Sequence, residues 1–160
     1  MTKGARMKGA DLHRKMGVDL FNFVWTLLEN RRRTRSEDDL MIHATHASRY
    51  HWTRARGATP KNDAIGEWQI SRVYAVLRRA EPALYHARRT LAICESNGLE
   101  DFPLAYAHEA LARAYAVGGE RRLRDRHLRL AKAAGEHIHE AEDRALLLAD
   151  LRTLPRPRTR

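Results

Sequence analysis

Nine histidines occur in a chain of 160 residues, and imidazole is the side chain best matched to proton transfer and metal binding near neutral pH. His43 and His46 stand three apart, so on a helix they share an edge, and such a pair can seed a transition-metal site. The helical zinc pattern spaces its histidines by four with an adjacent glutamate, and that glutamate is missing here. A metal would need further ligands from other helices, with Glu67, His86 and His108 available. His43, His46 and His108 therefore form the metal-binding alternative, while the main expectation is neither metal nor cofactor. His51 continues an apolar stripe and reads as a buried, hydrogen-bonded histidine. His137 and His139, flanked by Glu136 and Glu140, read as a solvated helix end. The lone cysteine, Cys94, lies on a helical inner stripe beside Glu95, with no base paired to it, and reads as a buried structural thiol. Ser48 and Ser71 lack the glycine context of a nucleophile elbow. No phosphate-cradling glycine loop or dinucleotide fingerprint occurs and no catalytic residue is assigned, so a non-enzymatic role is favoured, with a helical metalloprotein or small-molecule-binding enzyme using the histidine cluster as the alternative.

Arginine offers a second chemistry. Trp68, Arg72 and Val76 are each four apart, as are Glu109, Arg113 and Val117, so each trio occupies one face of a helix. A guanidinium can donate two parallel hydrogen bonds to a carboxylate or phosphate. Two uses are open: contact with an anionic ligand, or a structural ion pair of Arg72 with Glu109 or Glu67, with Trp68 in the core.

Turn and cap signals divide the positioning framework into about seven helices. The first runs from about Leu12 to Asn30, with Leu20, Phe23, Val24, Leu27 and Leu28 at helical spacing. Ser36 opens the second, with Asp39 three residues on as a capping-box variant, and with an inner stripe of Leu40, Ala44, Ala47 and His51. Thr59 caps the third at Pro60, and it carries Ile65, Ile70, Val73, Val76 and Leu77. Pro82 starts the fourth, lined by Leu84, Ala87, Leu91 and Cys94 and closed by Asn97-Gly98. Asp101 caps the fifth ahead of Pro103, and Gly118-Gly119 ends it. The sixth is expected over Glu120 to His139. The seventh spans about Ala141 to Leu151, with Ala145, Leu148 and Ala149 as its apolar residues. No strand pattern remains, and short loops between amphipathic helices imply antiparallel neighbours. The expected organisation is one all-α domain over 1–152: an N-terminal hairpin at 12–56, further hairpins at 62–139, and a capping helix at 141–152. A flexible basic tail follows at 153–160.

Composition narrows the classes. With 43% apolar and 31% charged residues the chain reads as globular rather than disordered. Its longest apolar runs, such as Phe23 to Leu28, are too short for a bilayer. Met1 to Met16 is basic but lacks the apolar segment and cleavage site of a secretion signal. One cysteine makes no internal disulfide, and the cytoplasm is the expected compartment. The formal charge of +10 comes from 25 Arg and 5 Lys, scattered over several elements. A nucleic-acid surface normally concentrates its cations beside stacking aromatics, so the basic balance reads first as a solvated surface and leaves a nucleic-acid partner as a weaker alternative.

The chain also matches itself. Ile70-Ser71-Arg72-Val73-Tyr74-Ala75-Val76 aligns with Leu111-Ala112-Arg113-Ala114-Tyr115-Ala116-Val117 at an offset of 41 residues. After each match come a short turn and a second amphipathic helix. The large residue, small residue and tyrosine at Ile70, Ser71, Tyr74 and at Leu111, Ala112, Tyr115 resemble the tetratricopeptide repeat. Gly119 stands at that family's turn glycine, and Ala83 and Ala131 match two of its small packing positions. Arg78 replaces the glycine in the first unit, Arg124 is a poor match to a small position, and the offset exceeds the usual period, resembling the longer variety. The resemblance covers about residues 62–139.

It implies a short α-α superhelix whose first helices line a concave groove for peptides or partner helices. Carried onto this chain, the groove-facing positions are Ile65, Trp68, Arg72 and Val76, then Tyr106, Glu109, Arg113 and Val117. The expected function is a non-enzymatic adaptor or scaffold that holds a protein or peptide segment, acidic or C-terminal, on Trp68, Arg72, Tyr106, Glu109 and Arg113. Self-association through apolar end faces is the further expectation, and no membrane partner is expected.

Overall fold

A computed structural model describes residues 9–156 of the chain; the first part of the basic N-terminal stretch and the end of the expected tail lie outside the described residues. The described residues form seven α-helices and no strand: α1 (Gly9–Glu29), α2 (Arg35–Arg54), α3 (Pro60–Val76), α4 (Ala80–Ser96), α5 (Asp101–Gly118), α6 (Arg121–Gly135) and α7 (Ala141–Arg152). None is long and apolar enough to cross a membrane.

The helices pair in sequence as antiparallel hairpins, α1 with α2, α3 with α4 and α5 with α6. The first helix of each hairpin also meets its counterpart in the next, α1 against α3 and α3 against α5, and α7 rests on α5 and α6. α3 and α5 are therefore surrounded. In α5 every residue from Glu109 to Ala116 is buried. Such close approach of backbones needs small side chains, and Ala83, Ala87, Ala105, Ala107, Ala112 and Ala131 supply them in the core.

Local chemistry sets the helix ends. Thr59 precedes Pro60, and its backbone N–H donates to Asn62 Oδ1 at 3.0 Å. The cap of α2 is Thr34 rather than Ser36, because Thr34 and Glu37 form a reciprocal capping box: Glu37 N–H donates to Thr34 Oγ1 at 3.2 Å and Thr34 N–H to Glu37 Oε2 at 2.7 Å. The two repeat units turn in the same way. Gly119 takes a left-handed φ of 81°, and Arg78, at the matching turn of the first unit, takes 61°. The residues that follow close equivalent bonds, Arg79 N–H to Tyr74 O and Glu120 N–H to Tyr115 O, both at 2.9 Å. The turn geometry is thus kept at Arg78 although a Cβ is disfavoured there.

Two expected faces and one expected helix end are corrected. In α2, Leu40 is 46% exposed and the buried residues are Met41, Ala44, Thr45, Ser48 and Trp52. The helix is turned by one position because its polar residues find partners inside: Ser48 Oγ donates to Gly17 O at 2.7 Å, and Thr45 Oγ1 to Gln69 Oε1 at 3.2 Å. An apolar count passes over such residues, yet a satisfied hydroxyl is readily buried. α6 ends at Gly135 rather than His139, and Ile138 in the following turn is buried. In α7 the inward residues are Leu147 and Leu151, with Ala145, Leu148 and Ala149 facing solvent. Gly135 makes room there, since a Cβ at that position would stand 2.5 Å from Leu147 Cδ2.

Candidate functional site

α3 presents Trp68 and Arg72 one turn apart, and α5 presents Tyr106, Glu109 and Arg113 on the face opposite. All five expected site residues come together, and all five are buried. Glu109, fully inaccessible, is the centre. Its carboxylate accepts from Arg113 Nε at 2.7 Å, Arg72 Nη1 at 3.2 Å and Trp68 Nε1 at 3.2 Å. Burial pushes this carboxyl up, but the two guanidinium groups and the indole N–H outweigh burial and hold it below the usual glutamate range. Burial likewise opposes the charge on Arg72, and Glu109 with Asp150 more than restores it.

The remaining donors point at α7. Arg72 Nη2 donates to Asp150 Oδ1 at 2.6 Å, and Tyr106 Oη to Asp150 Oδ2 at 2.8 Å. Burial and the facing carboxylate push the Tyr106 phenol far above its ordinary value, so it stays protonated and donates to Asp150. Arg113 reaches the end of α7: Nη2 donates to Asp150 O at 3.0 Å and to Thr153 Oγ1 at 2.9 Å, and Nη1 to Thr153 O at 3.2 Å. Two cations thus meet two carboxylates, and a helix end that carries partial negative charge. Thr153, placed in the tail by the sequence, is held by these bonds, and Leu154 packs on the core.

An aromatic ladder runs beside the ions. Ring centroids lie 6.4 Å apart for Phe21–Trp25, 5.7 Å for Trp25–Trp68, 5.0 Å for Trp68–Tyr106 and 4.4 Å for Phe102–Tyr106. The ladder crosses α1, α3 and α5, and the Arg72 guanidinium lies 5.8 Å from the Trp68 ring. Of the other groove-facing positions expected, Ile65 and Val117 are half-buried and Val76 is exposed.

The histidines distribute themselves differently. His43 is exposed on α2, His46 Nε2 lies 3.0 Å from Tyr74 Oη, and His108 pairs with His127 at 3.2 Å between Nδ1 atoms. The trio His43, His46 and His108 is therefore not brought together, and among the described residues no three His, Cys, Asp or Glu side chains are arranged to hold a metal ion. His86 donates instead to the buried Glu67, with Nδ1 2.7 Å from Oε2, and Glu67 also meets Arg49 and Arg89, each at 3.2 Å. His86 stacks on Tyr74 with ring planes 14° apart, and in the second unit His127 stacks on Tyr115 at 21°. His51 contacts His13, Nδ1 to Nδ1, at 2.7 Å. Cys94 is buried among apolar residues, and burial together with Glu95 pushes its thiol up to about 11, which leaves it inert at neutral pH.

Sequence reasoning missed Asp150 and Thr153, which complete the cluster, and Trp25, which extends the ladder. Leu147, Leu151 and Leu154 at spacings of four and three were the available signal that Asp150 lies on the inward face of α7. Comparison with protein-family models, with curated proteins and with solved structures finds no match to this chain.

Proposed function

We propose that the chain is a non-enzymatic cytoplasmic binding module, a short tetratricopeptide-like superhelix whose first helices α1, α3 and α5 form a groove for a helical peptide segment of a partner protein. The observation that carries this reading is the convergence of Trp68, Arg72, Tyr106, Glu109 and Arg113 from α3 and α5 on one shared face, with α7 packed on α5 and α6 as the capping helix. The repeated elements support it further: the 41-residue offset relates Arg72 to Arg113, the Tyr74–His86 stack to the Tyr115–His127 stack, and the turn at Arg78 to that at Gly119. Phe21, Trp25 and Phe102, the half-buried rungs of the ladder, supply apolar contact at low entropic cost.

The experiment places a photo-crosslinking amino acid at position 102, at one end of the ladder, identifies the captured partner in the host cell, and measures its affinity with purified protein. Replacing both Arg72→Ala and Arg113→Ala should weaken that affinity by about a hundredfold, two charge-assisted contacts being lost. An unchanged affinity would show that the partner binds elsewhere and would overturn the groove reading.

A further inference from the structure

We infer that the three hairpin turns form a cationic edge that binds the phosphate backbone of a double-stranded nucleic acid without reading its sequence. The inference goes beyond the groove and uses none of its residues.

Along the chain the arginines are scattered, but the topology collects a set of them. α1, α3 and α5 run side by side, and each turns back into its hairpin partner at the same end of the molecule. Leu28 and Leu77, just before the first two turns, pack on one core cluster. A Cβ on Gly118, at the third turn, would stand 3.6 Å from Ala80 Cβ at the second. The turns are therefore neighbours in a row, and each carries a pair of arginines: Arg31 and Arg32, Arg78 and Arg79, Arg121 and Arg122. All six are exposed. The other end of the molecule differs, since the connections there after α4 and α6 hold Glu100 and Asp101, and Glu136 and Glu140.

The arginines also divide by use. Arg33, Arg49, Arg72, Arg89 and Arg113 each meet a carboxylate. Among the described residues none of the six edge arginines closes an ion pair, although Glu29, Asp39, Glu81 and Glu120 stand exposed near the turns. The other carboxylates close by are engaged elsewhere: Glu37 in the Thr34 cap, Asp38 with Arg33 and Asp125 with Arg124. Adjacent turns lie within about one Debye length of each other, so their fields add rather than being screened apart. The row continues along the outer face of α6, where Arg122, Arg126 and Arg129, four and three apart, line an open hollow of about 440 Å³.

Length and composition select the partner. Packed helices lie about 8–10 Å apart, so three turns in a row span roughly 20 Å. One strand of a duplex carries a phosphate about every 3.4 Å of axis, so about six face that length, one for each guanidinium. No aromatic residue occurs in the turns at 30–35, 77–80 and 118–124, so the stacking platform that holds single strands is missing. A lipid surface would call for a free apolar face beside the cations, and in α6 Leu128, Ala131 and Ala134 are packed in the core. Contacts to phosphates alone position a protein on a duplex without selecting sequence.

The test follows the anisotropy of a fluorescent DNA duplex of about 20 base pairs titrated with the full chain, at several salt concentrations. With about six phosphates contacted, affinity should fall about a thousandfold between about 50 and 200 mM salt, and should be the same for a duplex of unrelated sequence. Arg78→Gln with Arg79→Gln should weaken binding at least about tenfold and flatten the salt dependence by about two contacts. Arg121→Gln with Arg122→Gln should do the same. Arg54→Gln with Arg56→Gln removes the same charge from exposed positions at the other end and should leave affinity within about twofold. Since all these side chains are exposed, helicity by circular dichroism should be unchanged in each variant. Equal weakening by all three pairs would mean attraction to net charge alone and would overturn the edge. Tighter binding of a single strand of the same length would overturn the choice of a duplex, and so would binding to phosphatidylserine vesicles with none to the DNA.

Discussion

The two sides of α3 and α5 use charge in opposite ways. On the side of Trp68, Arg72, Tyr106, Glu109 and Arg113, the ionic groups are buried, mutually satisfied and closed over by α7. On the side of Glu67, Tyr74, His108 and Tyr115, the neighbouring helices α2, α4 and α6 supply His46, His86, Arg88, Arg89 and His127, and the contacts are largely imidazole pairs and stacks. The first side is centred on paired guanidinium and carboxylate ions; the second on imidazoles, of which burial holds His46, His108 and His127 below the ordinary histidine value. The same helices therefore carry one ion-paired seam and one imidazole seam.

The sharpest way to break that comparison is to remove the central anion. Glu109→Ala leaves Arg72 and Arg113 buried with one carboxylate between them, and should destabilise the chain by about 3–5 kcal/mol, measured by urea unfolding. A loss no larger than that of an exposed carboxylate would mean the seam is hydrated and the contrast false. Next in size is Leu147→Ala, which removes one of the two buried leucines of α7 and should cost about 2–4 kcal/mol, or less if α7 simply detaches, which hydrogen exchange confined to 141–152 would reveal.

The pH dependence separates the two seams directly. His46, His51, His108 and His127 all titrate below the ordinary histidine value, with burial the leading cause and, for all but His108, a facing histidine adding to it; His127 is lowered to about 4. At the last pair the facing groups are His108 and Tyr115 from α5, Arg88 from α4 and the neighbouring Arg126, none of them an anion. A folded-state value below the unfolded one means the unfolded chain takes up protons first as pH falls. Stability should therefore decline from pH 6.5 towards 4, and replacing His108→Gln with His127→Gln should flatten that decline in pH-dependent melts. Glu109, held below the usual range, has its contribution in full above the ordinary glutamate value and loses it as pH falls through its own lower one. His139, exposed beside Asp101, is shifted upward and opposes the decline weakly. A flat profile between about pH 7 and 5 would show that the paired imidazoles do not store proton-linked stability.

Smaller effects test the repeat itself. Arg78→Gly relieves a left-handed φ that Gly119 adopts freely in the next unit, and should stabilise by about 1 kcal/mol in thermal melts; destabilisation would mean the Arg78 side chain contributes contacts that outweigh the strain. Smallest of all, Asp19→Asn removes the exposed Lys15–Asp19 pair on α1 and should change stability by no more than about 0.5 kcal/mol.

Much of the framework is legible residue by residue. Thr59-Pro60, Asn97-Gly98 and Gly118-Gly119 mark helix ends because their local backbone preferences act without help from distant contacts. The convergence of Arg72 and Arg113 is readable from helical register and the 41-residue offset, since both are properties of spacing. An apolar stripe misplaces the inner face of α2 because Thr45 and Ser48 are core residues by virtue of bonds to Gln69 and Gly17, partners that only folding brings near. The histidines escape grouping for the same reason: nothing in the spacing of His108 announces His127 on the next helix as its partner.

The sequence by itself determined that the described residues form seven helices, where most of them begin and end, and which side chains share a helix face, because capping, glycine and proline geometry and the helical period act over a few residues. Only the tertiary structure decided that the arginine seam faces Asp150 and Thr153 rather than water, and that the histidines meet in pairs across helices. Those outcomes depend on which surfaces remain uncovered after the hairpins pack, a balance of burial and charge pairing summed over the whole fold that no local pattern carries.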